Sequence, residues 1–338
     1  MNITEFAAYA GVSKAAVSRY FNGGYLSVEK RERIAAAVEA TGYHPSIQAQ
    51  MLRTRRARQV LVILPKLSSE SCARMVEGIS DVLDQNGYHL LLVNTANDSA
   101  KEIAALHLLQ QNTVDGVILM ATIFTPEHRT VLASLRLPVI ILGQQYPGFC
   151  SVSHDDRGAA RAATAHMLAK GRRSPGFLGV TMMDRAAGLD RRRGFEDALR
   201  EAGIPLRPGR ACVAAFNMES GYEQARTLLS REPGLDCLFC ATDTIAIGAL
   251  QYCRSQGIRV PDDLMLAAVG DSLAGRVAYV PLTSVQLHYR TAGRLAAWML
   301  LDHLAHPHAA PDSRVLDFVL RPRASTGDSG EDKGFCTD

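Results

Sequence analysis

From residue 59 onward, unbroken apolar runs alternate with amphipathic stretches. Val60–Leu64, Tyr88–Val93, Asp115–Met120 and Pro138–Leu142 are short runs rich in Val, Ile and Leu. Between them, Ser71–Asn86, Ala100–Gln111 and Pro126–Leu135 carry apolar residues at helical spacing, as Met75, Ile79 and Val82 do. Strands that are apolar throughout suit a parallel sheet covered by helices on both faces. The alternation continues with helices over Arg157–Lys170, Asp190–Glu201, Ser220–Ser230 and Thr244–Gln256. The strands Gly176–Val180, Arg210–Ala215, Cys237–Ala241 and Leu264–Val269 follow them in turn. Ser284–Leu287, a helix over Tyr289–Leu304 and a last strand over Val315–Leu320 complete the pattern. It predicts two doubly wound α/β halves of similar size, with a ligand cleft at the carboxyl ends of their strands.

The first sixty residues follow another rule. Asn2-Ile3-Thr4-Glu5 suits an N-cap with an acid three residues on, opening a helix that runs to about Ala10. Gly11-Val12-Ser13 turns the chain, and Ser13 is placed to cap a second helix. Val17, Tyr20 and Phe21 recur at i, i+3 and i+4 on its back, while Lys14, Ala15, Ser18 and Arg19 form a small, basic front. Asn22-Gly23-Gly24-Tyr25 ends that helix. Ser27 caps a third, Val28 to about Thr41, with Val28, Ile34, Ala35, Ala37 and Val38 expected inside. Three short helices with one small core make a helix-turn-helix head, whose second helix fits a DNA major groove. A two-turn stretch, Ser46–Leu52, and a basic linker, Arg53–Arg58, join head to body.

Composition supports this division. The 338 residues are too many for one ordinary core, and 47% apolar content can fill several. Residues 1–60 hold nine Lys/Arg against four acids, whereas the whole chain has a net charge of only +3. A basic head on a near-neutral body points to a polyanionic partner. No apolar run is long enough to span a membrane, and Glu5 interrupts any signal-peptide pattern, which predicts a cytoplasmic protein with no membrane partner. The close pair Cys237 and Cys240 lies in an apolar run and reads as core thiols rather than a metal or redox site.

The pattern Gly11-Val12-Ser13-x-x-x-Val17-Ser18-Arg19-x-x-Asn22, with Gly42-Tyr43-x-Pro45-x-x-x-Ala49-x-x-Leu52, resembles the head and hinge of the lactose/galactose-repressor family. The likeness extends to about residue 326. It implies domains over 1–45, 46–58 and 59–326, with a disordered tail over 327–338. The body would be of the periplasmic-binding-protein type, its chain crossing between halves near residues 159, 285 and 315. It also implies that Lys14, Ala15 and Arg19 read base edges, and that Ser13, Ala16, Ser18 and Asn22 meet the DNA backbone. Ala49 and Leu52 would enter the minor groove. Ser46 and Gln50 stand where the family often has Asn and Arg.

At strand ends, Lys66, Thr122, Gln144, Asp155, Arg191, Phe216, Thr242, Asp243 and Asp271 are candidate effector-binding residues. Polar groups converging with one aromatic suit a sugar, whose hydroxyls need partners and whose C–H face stacks on a ring. The resemblance supports Asp155, Arg191, Phe216 and the Thr242-Asp243 motif. Asp155 and Asp243 equally suit helix N-caps, and Phe216 equally suits the core. Asp271-Ser272 replaces the family's frequent aromatic–Asp pair, and Leu287 a frequent Gln. The run Cys240–Ala249 with Gly221-Tyr222-Glu223 is similar to trehalose-operon repressors, which respond to a phosphorylated disaccharide. For such a ligand, Lys66 and Arg191 would be the phosphate partners.

Together these features predict a transcriptional repressor of a carbohydrate operon. It would bind a palindromic operator as a homodimer, respond to a sugar or phosphosugar, and use no cofactor. The alternative is a sugar-processing enzyme or sugar-binding protein carrying a DNA-binding head. No phosphate loop, nucleophile elbow or metal-ligand cluster favours an enzyme.

Overall fold

The structure, a computed structural model, describes residues 1–21, 23–44, 56–109, 114–120 and 122–329. The chain divides after Arg58 into two compact units. The first is built of helices α1 (Ile3–Tyr9), α2 (Lys14–Phe21) and α3 (Val28–Thr41). Asn2 and Glu5 form the expected capping box at the start of α1. Ser13 Oγ accepts from Ala16 N at 3.2 Å, satisfying one free donor of α2. Gly11 turns between them at φ +61°, in the left-handed region, and its carbonyl accepts from the Arg33 guanidinium at 2.8 Å. Phe6, Ala7, Ala16, Val17, Ile34, Ala37 and Tyr43 make the core, with Phe6 stacked on Tyr43. Two expectations for α3 fail. Val28 and Ala35 are exposed, and Ser27 makes no side-chain cap bond. The core is small enough to be closed by one narrow stripe of α3, so its first turn contributes nothing to it.

The second unit holds two sheets. Strands β1 (Gln59–Leu64), β2 (His89–Asn94), β3 (Gly116–Leu119), β4 (Val139–Leu142), β5 (Cys150–His154) and β11 (Ser313–Leu316) form one, in the order β11-β5-β4-β3-β1-β2, all parallel. Strands β6 (Pro175–Gly179), β7 (Ala211–Val213), β8 (Cys237–Cys240), β9 (Met265–Val269), β10 (Thr283–Leu287) and β12 (Phe318–Arg321) form the other, in the order β12-β10-β9-β8-β6-β7. Only β12 runs antiparallel to its neighbour. Helices α4 (Glu70–Gln85), α5 (Ser99–Leu108) and α6 (Pro126–Ser134) link strands of the first sheet. Helices α7 (Asp156–Ala169), α8 (Arg191–Glu201), α9 (Met218–Arg231), α10 (Asp243–Ser255) and the short α11 (Leu273–Arg276) link those of the second. A final helix, α12 (Tyr289–Ala305), returns to pack on α4. That packing is close because glycines face it. A Cβ on Gly78 would stand 2.0 Å from the Arg290 carbonyl oxygen, and one on Gly293 2.0 Å from that of Met75.

The chain thus passes between the sheets at Asp155, His288 and Asp317. The expected single strand Val315–Leu320 is two strands, one in each sheet, because Asp317 interrupts the run where it leaves β5 and joins β10. Strand β2 also differs from expectation. It is the sheet edge, and Leu91 and Leu92 are exposed rather than buried on both faces.

Asp271, a candidate ligand residue in sequence, is structural. It adopts φ +47° after β9, is buried, and lies outside the lining of the cleft. Its carboxylate accepts from Arg276 and Arg323, each at 2.6 Å. A buried carboxylate shared by two guanidiniums joins α11 to the segment after β12. Removing it strands buried positive charge, so Asp271→Ala is expected to cost about 3–5 kcal/mol of stability, read from the urea midpoint; a loss below about 1 kcal/mol would refute this role.

Candidate functional site

The head presents one chemically distinct surface. The back of α2, Ala16 and Val17, is buried, while Ser13, Lys14, Ala15 and Arg19 are exposed and Ser18 is half-buried. Ala16, expected at the DNA backbone, therefore points its methyl into the core, and its N–H is occupied by Ser13. Asn22, Ala49 and Leu52 lie outside the described residues. What remains is a face with two cations, a methyl and two hydroxyls, free of carboxylates. Such a face can meet phosphates and offer a guanidinium to a base edge.

In the body, a cleft of about 560 Å³ opens at the carboxyl ends of the strands. Lys66, Thr122, Gln144, Arg191, Phe216, Thr242 and Asp243 line it, as the strand-end argument expected. Asp155 does not. It caps α7, its carboxylate accepting from Gly158 N at 2.8 Å, and its neighbour Asp156 faces the cleft instead. The tandem aspartates left this choice open, and the helix start resolves it by using the first as a cap.

Asp156 holds Arg191 at the start of α8. The guanidinium donates to Asp156 Oδ1 from Nε at 2.8 Å and approaches the same oxygen from Nη2 at 2.7 Å, while Nη1 donates to the Ala241 carbonyl. Burial pulls the Arg191 pKa down, but the Asp156 carboxylate outweighs it and leaves the pKa above its ordinary value. All three nitrogens thus have partners inside the protein. Asp243 is engaged too. It accepts from Ser272 N at 2.6 Å and from the Ser284 hydroxyl, while Thr242 caps α10. Burial raises the Asp243 pKa, and these bonds oppose that rise. Two contacts cross the cleft from the first sheet's side to the second's. Lys66 Nζ donates to the Phe216 carbonyl at 3.0 Å, and the Glu70 carboxylate accepts from Leu273 N at 3.1 and 3.2 Å.

Sequence reasoning missed several lining residues, among them Arg74, His154, Asp184 and Tyr289. His154 is the last residue of β5 and was within reach of the strand-end rule. Tyr289 lies at a chain crossing and Asp184 in a loop, where periodicity gives no signal. Cys237 and Cys240 are fully buried in β8, and burial pushes both thiols well above the usual range. Among the described residues no group of three or more His, Cys, Asp or Glu side chains is placed to hold a metal, and no helix is long and apolar enough to cross a membrane.

Comparison with known proteins matches both units. The family of bacterial regulatory proteins called the lacI family matches residues 2–46, and a periplasmic binding protein-like domain matches residues 164–326. The transcriptional regulator GntR of Escherichia coli (strain K12) is 30% identical over 327 residues, covering 96% of this chain and 98% of its own. Among solved structures, a complex of the transcriptional regulator CelR with cellobiose is 27% identical and aligns with a TM-score of 0.76 over 96% of this chain and 99% of that one. The lac repressor dimer bound to operator and the anti-inducer ONPF shares the fold at a TM-score of 0.88 and 23% identity, over 96% of this chain and 99% of that one.

Asp184 supplies a test of the cleft's electrostatics. Its carboxyl caps the π-helical turn Arg185–Asp190 and is buried. Burial, aided by the Asp156 charge, raises its pKa from 3.8 to about 6, against bonds from Ala187 and Gly188 N–H and the charge of Arg191. The folded state therefore binds its proton more tightly than the unfolded chain. This group destabilises the fold at pH 7, and the penalty fades as pH falls through about 6 toward 4. Asp184→Asn is expected to raise stability by about 2 kcal/mol at pH 7.5 and by much less at pH 4.5, in urea titrations at both values. An equal effect at the two would contradict the assignment.

Proposed function

Because the chain belongs to the LacI family of bacterial regulatory proteins, we propose that it is a ligand-controlled transcriptional repressor of a carbohydrate operon, acting on DNA in the cytoplasm. The observation that carries this reading is α2. Its back is buried in the head and its basic front is free of acids. Arg19 can read a guanine edge in a fork, Lys14 less selectively, and Ala15 permits close approach to a thymine methyl. Ser13, Ser18 and Asn22 serve the phosphates. Ala49 and Leu52 enter the minor groove between paired hinges of a homodimer, matching a palindromic operator. Exposed Leu91, Leu92 and Leu108 give the first sheet's side apolar surface for a second copy.

The cleft holds the effector, a sugar. The cellobiose in the related complex supports a sugar of this class, and the polar lining with Phe216 suits one. Its effect on DNA is a population shift. A ligand that favours one separation of the two sheets draws the protein toward it, and operator affinity changes by the same coupling energy. Lys66 and Glu70 set the starting point of that equilibrium, since their cross-cleft bonds exist only when the sheets are close. An enzymatic reading has no comparable support, as the similar proteins named above are regulators.

Arg19→Ala is expected to weaken specific binding by about 1–3 kcal/mol, titrated at fixed salt on an operator selected from random DNA, with non-specific binding changed far less. Equal losses on both DNAs would remove Arg19 from base reading. At the cleft, Leu273→Pro deletes one donor at a helix position that accepts proline. We expect it to widen the mean cross-cleft distance in fluorescence-transfer measurements, with Glu70→Gln doing so less; no widening in Leu273→Pro would discard the latch.

A further inference from the structure

Among the described residues, the cleft lining holds one buried side-chain nitrogen or oxygen without a hydrogen-bond partner. His154 is 7% exposed, ends β5 and lines the cleft. One edge of its ring hydrogen-bonds the backbone of His288, at the second chain crossing. Nε2 has no hydrogen-bond partner, so that bond belongs to Nδ1, and a carbonyl acceptor there fixes the Nδ1–H tautomer. The ring packs edge-to-face on Tyr289, with centroids 5.4 Å apart, which fixes its orientation. Burial holds the imidazole below its ordinary pKa, against the pull of Asp156, so it stays neutral at pH 7. Nε2 is then a bare lone pair where the other buried side-chain nitrogens and oxygens of the described lining residues have partners, and such an atom lowers affinity for any ligand that cannot donate to it.

The neighbours sharpen what that ligand must offer. Asp156 acts electrostatically on His154, and Asp184 lies on the same lining. Arg191 is already bonded to Asp156 and Ala241, and Arg74, which also lines the cleft, lies over the Tyr289 ring. A phosphate or carboxylate placed against Nε2 would set acceptor against acceptor beside the carboxyl groups of Asp156 and Asp184. A hydroxyl satisfies Nε2 by donating to it and still has lone pairs for other donors.

We propose that His154 is a specificity-determining residue of the cleft, whose Nε2 accepts a hydrogen bond from a hydroxyl of the effector, so that the ligand is a neutral sugar or polyol at this end. The proposal rests on the cleft being the effector site. It replaces the expectation that Arg191 receives a phosphate.

The test uses the full chain with His154→Phe, which keeps a ring against Tyr289 but removes the Nε2 acceptor along with the Nδ1–H bond to His288, and His154→Gln, which restores an acceptor. The probes are cellobiose, sucrose and trehalose, beside trehalose 6-phosphate and gluconate, followed by calorimetry and melting temperature. The expected result is that a neutral disaccharide binds, and that His154→Phe weakens it at least tenfold and His154→Gln less. A protonated Nε2 in the nitrogen-15 spectrum of the unliganded native protein at pH 7 would overturn the proposal. Unchanged affinity in His154→Phe would overturn it equally, as would preferred binding of a phosphate or carboxylate abolished by His154→Phe. If no probe binds, the sugar reading of the cleft fails separately. The ring's nitrogen-15 resonances then decide for His154: a bare Nε2 at pH 7 supports the acceptor, and a protonated Nε2 rejects it.

Discussion

The pairing of Asp156 with Arg191 is the constraint on which the body's architecture turns. Asp156 opens α7 just where the chain leaves the first sheet, and Arg191 opens α8. Both are almost fully buried, and removing either would strand the other as an unpaired ion in the interior. Because the same guanidinium also bonds the Ala241 carbonyl after β8, one side chain ties two helix starts to a strand end. The floor of the cleft is therefore set by a charge requirement, and its geometry cannot relax without exposing or stranding an ion. Rigidity at the floor leaves adjustment to the mouth, where the contacts of Lys66 and Glu70 are single and partly solvated.

The same economy of partners divides the cleft by chemistry. Asp243 and Arg191, which a residue inventory would assign to a ligand, are engaged within the protein. His154, which that inventory overlooks, holds the unsatisfied atom. Residue type alone is thus a poor guide to recognition, and the useful quantity is the hydrogen-bonding capacity left after folding.

Much of the fold was legible in sequence because its causes are local. Apolar runs gave the strands, helical spacing gave the helices between them, and Asn2, Ser13 and Gly11 marked the head's turns through capping and left-handed backbone. The failures arose where a choice depends on something distant. Asp155 and Asp156 are equally good caps by sequence, and only the direction of α7 assigns one to the cleft. Val28 and Ala35 fit the helical period, but the head's core is too narrow to reach them. Leu91 and Leu92 lie in a run as apolar as any other, and their exposure follows from strand order. Asp271 sits at a strand end like a ligand residue. Its two guanidinium partners come from α11 and from beyond β12, a pairing no local window contains.

The interruption at Asp317 has a genetic corollary. Four residues before it complete the edge of one sheet, and four after it complete the edge of the other. Neither half of the body is encoded by a continuous stretch of gene. A premature stop near codon 312 would strip a strand from both halves at once, so the protein cannot be shortened from its end one lobe at a time. Recombination that exchanged a whole lobe with a relative would need several breakpoints, which favours change by substitution within the cleft over exchange of the lobes that form it.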